Sequence, residues 1–251
     1  MIDLHSHLLP GVDDGSRSVE QSVQVLHAFA AIGVTDVACT PHLLASRVAN
    51  GWPEPFERAW EKLTACVPAG IRLHRGAEVM LDRPIPVAAA QRQVTVGGSR
   101  YLLVEFTRMV PAEIVSRALA EVIRIGLIPI LAHPERYSSC SIEAVRVWRE
   151  LGSVIQVDAT TMTLPRGRGD RARDLVIAGL ADILASDNHG DVRSLANARR
   201  WLVEHHGTEQ AELLLVTNPR AVLDDISLFE VDPVPMKPSL WRSMRRVLGS
   251  S

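Results

Sequence analysis

Residues 1–18 read MIDLHSHLLPGVDDGSRS, and this stretch combines the first predicted strand with an unusual set of polar residues. Side chains alternate along a strand, so His5 and His7 point to the same side. Asp13 and Asp14 follow after a Pro-Gly pair, which favours a turn. Imidazoles next to carboxylates suit a divalent metal ion, so we expect further ligands elsewhere in the chain.

Short runs rich in Val and Ile alternate with helical patterns along the sequence. The predicted strands are Ile2–His5, Val34–Cys39, Ile71–Ala77, Tyr101–Phe106, Ile128–Ala132, Val154–Val157 and Ile183–Ala185. Ser18 with Gln21 predicts a capping box at the start of a helix that ends before Gly33. Pro111 predicts the first position of another helix, which ends at Gly126. Seven strands alternating with helices predict parallel βα units, in a barrel or a doubly wound sheet.

The composition is that of an ordinary globular protein. The 251 residues are enough for one α/β barrel, and a net charge of −2 gives no reason to expect nucleic acid or membrane as partner. The start lacks a secretory signal, and three scattered cysteines suit a reducing compartment. We therefore expect a cytoplasmic protein with one domain over residues 1–231 and a linker with a basic tail over residues 232–251.

Residues of the types that bind metals fall at the ends of the predicted strands. In a parallel α/β fold the carboxyl ends of the strands meet at one face. A single histidine there is commonly an ordinary polar group, but four separate histidine-bearing segments share this position. The candidate ligands are His5, His7, one of Asp13 and Asp14, His42, Glu78, Glu105, His133, Asp187 and His189.

Nine nitrogen and oxygen ligands without cysteine exceed the needs of one tetrahedral zinc ion. They suit two or three ions such as Mn²⁺, Fe or Zn²⁺ with bridging carboxylates. Such a cluster lowers the pKa of a bridging water and coordinates the oxygens of a phosphate ester. Arg136 and Arg193 follow two of the ligand segments and would bind the remaining phosphate oxygens.

Taken in order, six stretches resemble the polymerase and histidinol phosphatase (PHP) family. Within it the chain is most similar to the manganese-dependent bacterial tyrosine phosphatases of capsule and exopolysaccharide loci, the CpsB type. The stretches are MIDLHSHLLPGVDDGS, ACTPH, GAEV, LLVEF, AHPERY and LASDNH. The resemblance implies a distorted (β/α)₇ barrel with a trinuclear metal site.

The resemblance also implies a role for each residue of the site. The first ion would be held by His5, His7, Glu78 and Asp187, the second by Glu78, Glu105 and His133, and the third by Asp14, His42 and His189. Arg136 and Arg193 would bind phosphate, and the expected catalytic residues are these two with Asp187 and His189. The implied reaction is attack of a metal-bound hydroxide on phosphotyrosine. The implied cofactor is two to three ions, Mn²⁺ ahead of Fe or Zn²⁺, and the implied partner is a tyrosine autokinase that controls exopolysaccharide synthesis.

The chain departs from the family pattern at three segments. After TPH it reads LLASRVANGWPEP, where relatives often carry a second histidine and then a tyrosine. QVDATTMT replaces a segment that usually bears asparagine and serine, and the loop before Arg193 is one residue shorter. None of these changes removes a predicted ligand, but we expect them to line the substrate cleft, which leaves the substrate open.

Other functions are compatible with parts of the pattern. A small-molecule phosphatase of the histidinol phosphatase kind, or another phosphoesterase of the same family, would use the same metal site. A noncatalytic metal-binding or kinase-docking module would not need every ligand. An amidohydrolase that bridges its metals with a carboxylated lysine is disfavoured, because Lys62 and Lys237 do not follow a predicted strand.

A cysteine-dependent phosphatase is a further alternative. Cys66 with Arg72, and Cys140 with Arg146, have the C-x5-R spacing of that chemistry. Neither loop contains the glycines that let backbone N–H groups surround a phosphate, and Pro68 removes one such donor. We therefore interpret both matches as chance.

The last residues, SLWRSMRRVLGSS at 239–251, form the basic tail. Either they cap the domain or fray, or they make a weak peripheral contact with anionic lipid or an acidic kinase segment.

Overall fold

The computed structural model describes residues 1–86 and 91–235, and within these ranges strands and helices alternate. The helices are α1 Val19–Ala31, α2 Glu54–Thr64, α3 Gln91–Val94, α4 Ala112–Arg124, α5 Ile142–Glu150, α6 Arg168–Ile177, α7 Ala196–Glu204, α8 Thr208–Glu212 and α9 Asn218–Leu223. A π-helical turn, Leu213–Thr217, joins α8 to α9. None of the helices in the described ranges is long and apolar enough to cross a membrane.

The strands form two parallel sheets. They are β1 Ile2–Ser6, β2 Asp36–Cys39, β3 His42–Leu44, β4 Arg72–Arg75, β5 Glu78–Met80, β6 Tyr101–Glu105, β7 Ile128–Ala132, β8 Val154–Asp158 and β9 Ile183–Ala185. One sheet has the order β1-β2-β4 and the other β3-β5-β6-β7-β8-β9. Each of the seven predicted strands is present, and β3 and β5 are additional.

The two additional strands arise because β2 and β4 each change sheets after a short break. β3 follows β2 after Thr40 and Pro41, and a proline cannot donate to a ladder. β5 follows β4 after Gly76 and Ala77, and the Ala77 N–H donates outside the sheet to the Val94 carbonyl at 3.0 Å. The register of the new pair places His42 opposite Glu78, so the break brings two predicted ligands together.

The sheets are also joined at the opposite edge. Ser6 and Asn188 form an isolated parallel bridge, and the His7 N–H donates to the Asn188 carbonyl at 2.7 Å. The Asp187 N–H donates to the His5 carbonyl at 3.0 Å. β1 therefore lies beside β9. The predicted parallel α/β fold is confirmed, and these connections are consistent with a distorted seven-stranded barrel.

The predicted helix signals hold in part. Ser18 caps α1 and accepts from the Gln21 N–H at 3.3 Å. The reciprocal half of the capping box is displaced by one residue, because Oε1 of Gln21 accepts from the N–H of Arg17 at 2.9 Å and not from that of Ser18. The Nε2 group of Gln21 donates to the Gly190 carbonyl at 2.6 Å. This contact ties α1 to the loop after β9. Pro111 lies one position earlier than predicted, as the N-cap of α4.

The end of the described chain packs on the domain. Val234 is buried, and its N–H donates to the Ile177 carbonyl at the end of α6, at 3.1 Å. The predicted tail, 239–251, lies outside the described residues.

Candidate metal centre

The centre is built around two buried histidines at the end of β1. The Nδ1 atom of His5 lies 2.9 Å from Oε1 of Gln156, and Nδ1 of His7 lies 2.8 Å from Oδ2 of Asp13. Both partners accept, so Nδ1 carries the proton in each ring and Nε2 is available as a ligand when the rings are neutral. The two Nε2 atoms lie 3.2 Å apart.

Two buried carboxylates face these Nε2 atoms. Glu78 Oε2 lies 3.2 Å from each of them, and Asp187 Oδ1 lies 3.2 Å from His5 and 3.3 Å from His7. Within the described part of the chain neither oxygen has a hydrogen-bond partner. Buried acceptors without a donor are costly. These two oxygens and the two Nε2 atoms converge on one point, and the four together fit a divalent cation with imidazole and carboxylate ligands.

Eight of the nine predicted ligands, all except His133, fall into groups of donor atoms around this point. Donor atoms within 4.8 Å of one another form three groups, which are His5, His7, Glu78 and Asp187; His7, Asp14, His42 and His189; and His42, Glu78 and Glu105. The first group consists of the four residues that were predicted to hold the first ion. The second contains the predicted third-ion ligands Asp14, His42 and His189, with His7 added.

The remaining group differs from the predicted second ion. His42 Nδ1 lies 3.1 Å from Glu78 Oε2 and 3.0 Å from Glu105 Oε1, so His42 occupies the position expected for His133. His133 stays close, with Nε2 2.8 Å from Glu78 Oε1. Glu78 thus contacts histidines from three strand ends, as a bridging carboxylate would.

The two predicted phosphate-binding arginines both reach Asp187. Nη2 of Arg136 donates to Asp187 Oδ2 and, at 2.5 Å, to Asp158 Oδ2. Nη1 of Arg193 lies 3.5 Å from Asp187 Oδ2 and 2.9 Å from Nδ1 of His189. The guanidinium groups therefore flank the ligand cluster, and both side chains keep a face toward solvent.

Sequence reasoning missed the residues that support the ligands. Gln156 orients His5, and Asp13, weighed only as an alternative ligand, orients His7. Asp158 holds Arg136. The signal for two of them was present, because Gln156 and Asp158 alternate as polar residues in an otherwise apolar buried strand.

The backbone at the site adopts unusual conformations. His133 has φ of 33° and Asp187 has φ of 48°, both in the left-handed region that residues other than glycine rarely occupy. Gly15 lies so close to His7 that a Cβ there would stand 2.1 Å from the His7 carbonyl oxygen. Strain of this kind is concentrated at functional sites.

The electrostatics of the cluster favour a cation. Burial lowers the pKa of His7, but its hydrogen bond to Asp13 and the nearby Asp187 and Glu78 carboxylates outweigh burial and hold the pKa well above its usual range. Burial also lowers the pKa of His42, but the Glu105 and Glu78 carboxylates outweigh burial and raise this pKa to about 10. The pKa of Asp187 lies well below its usual range, since His5, His7 and Arg136 outweigh its burial.

These shifts predict a pH-dependent metal affinity. His42, whose pKa is raised to about 10, is protonated at pH 7 in the metal-free protein, whereas a metal ion needs the neutral ring. Metal binding should therefore release protons at pH 7, and the affinity should rise with pH. Calorimetric titration of Mn²⁺ in buffers of different ionisation enthalpy measures the number of protons released. His42→Ala should release fewer protons and His205→Ala the wild-type number; no proton release at pH 7 would contradict the assignment.

The cysteines lie apart from this cluster. Cys66 is exposed, and Arg72, its C-x5-R partner, donates to Asp36 at 3.0 Å. Burial raises the pKa of the Cys140 thiol, and likewise that of Cys39, to about 12. Thiols in this state are poor nucleophiles.

Comparison with known proteins gives a consistent family. The family described as "Capsular polysaccharide synthesis, CpsB/CapC" matches residues 1–224. The chain is 28% identical over 245 residues to the tyrosine-protein phosphatase CpsB of Streptococcus pneumoniae, covering 90% of this chain and 99% of the relative. It is 25% identical over 247 residues to the tyrosine-protein phosphatase YwqE of Bacillus subtilis strain 168, covering 94% and 97%.

The fold has a counterpart among solved structures. A structure from a study of YwqE from Bacillus subtilis and CpsB from Streptococcus pneumoniae, described as unique metal-dependent tyrosine phosphatases, aligns with a TM-score of 0.78. The alignment covers 94% of this chain and 100% of the other, at 23% identity. The arrangement of strands and helices is therefore shared over nearly the whole chain.

Proposed function

Because this chain belongs to the CpsB/CapC family of capsular polysaccharide synthesis, we propose that it is a metal-dependent phosphatase that hydrolyses phosphotyrosine in proteins. The observation that carries the proposal is the convergence of His5, His7, Glu78 and Asp187, where two buried oxygens have no partner among the described residues. The tyrosine phosphatase activity named for the similar proteins agrees with the chemistry of this donor set.

The residues of the chain would divide the work as follows. When bound, the metal ions would supply Lewis acidity toward the phosphate and lower the pKa of water. Asp13 and Gln156 hold the rings of His7 and His5 in the tautomer that presents Nε2. Arg136 and Arg193, both beside Asp187, would bind the phosphate oxygens that the ions do not reach.

The proposal extends to substrate, metal and compartment. The substrate would be a phosphotyrosine protein, and we place a bacterial tyrosine autokinase of exopolysaccharide synthesis first, since the family acts in capsular polysaccharide synthesis. Two to three Mn²⁺ ions would fill the three donor groups, which overlap at Glu78, His7 and His42. The compartment would be the cytoplasm, where the three free cysteines would stay reduced.

A substrate panel tests the proposed activity. The purified protein with Mn²⁺ is offered phosphotyrosine peptides, phosphoserine peptides, histidinol phosphate and single-stranded DNA, and phosphate or nucleotide release is measured. We expect kcat/KM to be highest for phosphotyrosine. A preference for histidinol phosphate would indicate a small-molecule phosphatase, cleavage of DNA a nuclease, and no turnover of any substrate a noncatalytic module; each would overturn the proposal.

The proposal also predicts that no cysteine takes part. The double variant Cys66→Ser/Cys140→Ser should keep p-nitrophenyl phosphate turnover within about twofold of wild type, because surface and partly exposed substitutions of this kind have small effects. Steady-state kinetics with circular dichroism as the folding control measures this. A collapse of activity in a folded double variant would point to thiol chemistry.

A further inference from the structure

The segment QVDATTMT, which departs from the family pattern, ends a strand directly beside Arg136. Its Asp158 is the last residue of β8 and is 2% exposed. Oδ2 of Asp158 accepts from Nη2 of Arg136 at 2.5 Å. Asp158 belongs to none of the three donor groups, so its role there is contact with the arginine and not ligation.

The Asp158 carboxylate is itself fixed by the turn that follows β8. Oδ1 accepts from the N–H groups of Thr160 and Thr161 at 2.7 and 3.2 Å, and Oδ2 accepts from the Thr161 hydroxyl at 2.7 Å. Three donors from its own loop leave the carboxylate little freedom to rotate. A fixed carboxylate imposes its position on the guanidinium that binds it.

Only one nitrogen of the Arg136 guanidinium, Nη2, is held by the aspartates. Nη2 donates to both Asp158 and Asp187, while in the described part of the chain Nη1 and Nε of Arg136 have no hydrogen-bond partner. The side chain is 27% exposed, so solvent reaches part of it. Asp187 would also be a ligand of a bound metal ion. Asp158 would not, so it is the carboxylate that can hold the arginine without being shared with a metal.

We propose that Asp158 is a positioning residue that fixes Arg136 so that its remaining N–H groups bind the phosphate oxygens of the substrate. The proposal rests on the proposed function for its substrate, but it concerns phosphate binding as such.

A double-mutant cycle on the metal-loaded protein tests the proposal. The variants are Asp158→Ala, Arg136→Ala and the pair, and the readouts are the inhibition constant of inorganic phosphate, KM and kcat for p-nitrophenyl phosphate, and metal content. Asp158→Ala should raise the phosphate inhibition constant and KM about 10- to 100-fold, as expected when a binding group loses its orientation. In a protein that already carries Arg136→Ala, Asp158→Ala should change neither constant further. Asp158→Asn keeps a hydrogen-bond acceptor, so it should raise both constants less than Asp158→Ala does.

The pair of Asp182 and Arg149 serves as a control. It distinguishes an effect on phosphate binding from an effect on stability. Asp182 precedes β9, is buried, and binds Arg149 at 2.8 Å, and its other oxygen accepts from the Ile155 N–H at 2.9 Å. Asp182→Ala should lower the melting temperature but leave the phosphate inhibition constant unchanged.

Several results would overturn the proposal. Effects of Asp158→Ala and Arg136→Ala that add without coupling would show that Asp158 acts independently of the arginine. Loss of metal in Asp158→Ala would make it a support of the ligands. A larger loss for phenyl phosphate than for p-nitrophenyl phosphate would indicate a general acid instead. The phosphate readout needs no phosphotyrosine, so the proposal can survive if the substrate panel rejects the proposed function, and can fail if the panel supports it.

Discussion

Glu78→Gln is expected to lower kcat/KM for p-nitrophenyl phosphate by about 10³-fold or more, the scale of losing a preorganised electrostatic group. Glu78 is fully buried and contacts His5, His7, His42 and His133, so it belongs to two of the three donor groups. An amide in its place removes one charge and can present an N–H₂ group to the imidazole nitrogens. We therefore expect the variant to lose at least one ion per chain in elemental analysis.

Glu135→Gln is the matched control for this substitution. Glu135 is equally buried, and burial together with the Asp158 carboxylate raises its pKa to about 8, so it is mostly protonated at pH 7. Its Oε1 accepts from the Asp158 N–H at 3.0 Å, a contact that glutamine keeps. The control should retain metal and activity within a few-fold of wild type. If Glu78→Gln keeps its metal and full activity, the bridging role is wrong.

Arg136→Ala is expected to lower kcat/KM by about 10²- to 10³-fold, the usual loss when one donor to a developing charge is removed. The loss should appear in both KM and the phosphate inhibition constant, because the arginine binds the phosphate in the ground state and the transition state. Arg136→Lys should recover only part of the activity, since lysine carries a point charge without the two-pronged geometry. Metal content should stay at the wild-type number, because the arginine is not a ligand.

Arg149→Ala is the control for removing a half-buried arginine from an aspartate. Arg149 and Arg136 are similarly exposed, at 28% and 27%, and each binds a buried carboxylate. The control should lose stability without a change in kcat/KM. Equal losses of activity in the two variants would mean that Arg136 is structural.

The sequence was sufficient for the fold because the strand signals are strong and local. The bounds of β7 and β9 match the predicted Ile128–Ala132 and Ile183–Ala185, both runs of apolar residues between turn signals. The breaks after β2 and β4 were not foreseen, because they depend on which neighbouring strand accepts the hydrogen bonds. The hydrogen-bond partner is set by tertiary structure, as where the Ala77 N–H donates to the Val94 carbonyl.

For the site, the sequence indicated which residues would lie close together, but not which of them belong to the same donor group. Strand-end positions gather ligands whatever their exact geometry, so the nine residues could be named together. Whether His42 or His133 lies beside Glu105 depends on the turn after each strand, and His133 takes a left-handed conformation that no sequence pattern signals. The alternating polar positions of Gln156 and Asp158 in β8 were visible in the sequence, but the partners of these two side chains were not.

The central claim is that a cluster of metal ions, held by these ligands, carries phosphotyrosine hydrolysis. Its most direct test removes metal with a chelator, adds Mn²⁺ back in steps, and measures ions per chain and phosphate release from a phosphotyrosine peptide on the same samples. We expect the stripped protein to be inactive and activity to return only as occupancy rises to two or three ions per chain. Undiminished hydrolysis by the stripped, folded protein, or full activity with a single ion, would contradict the claim.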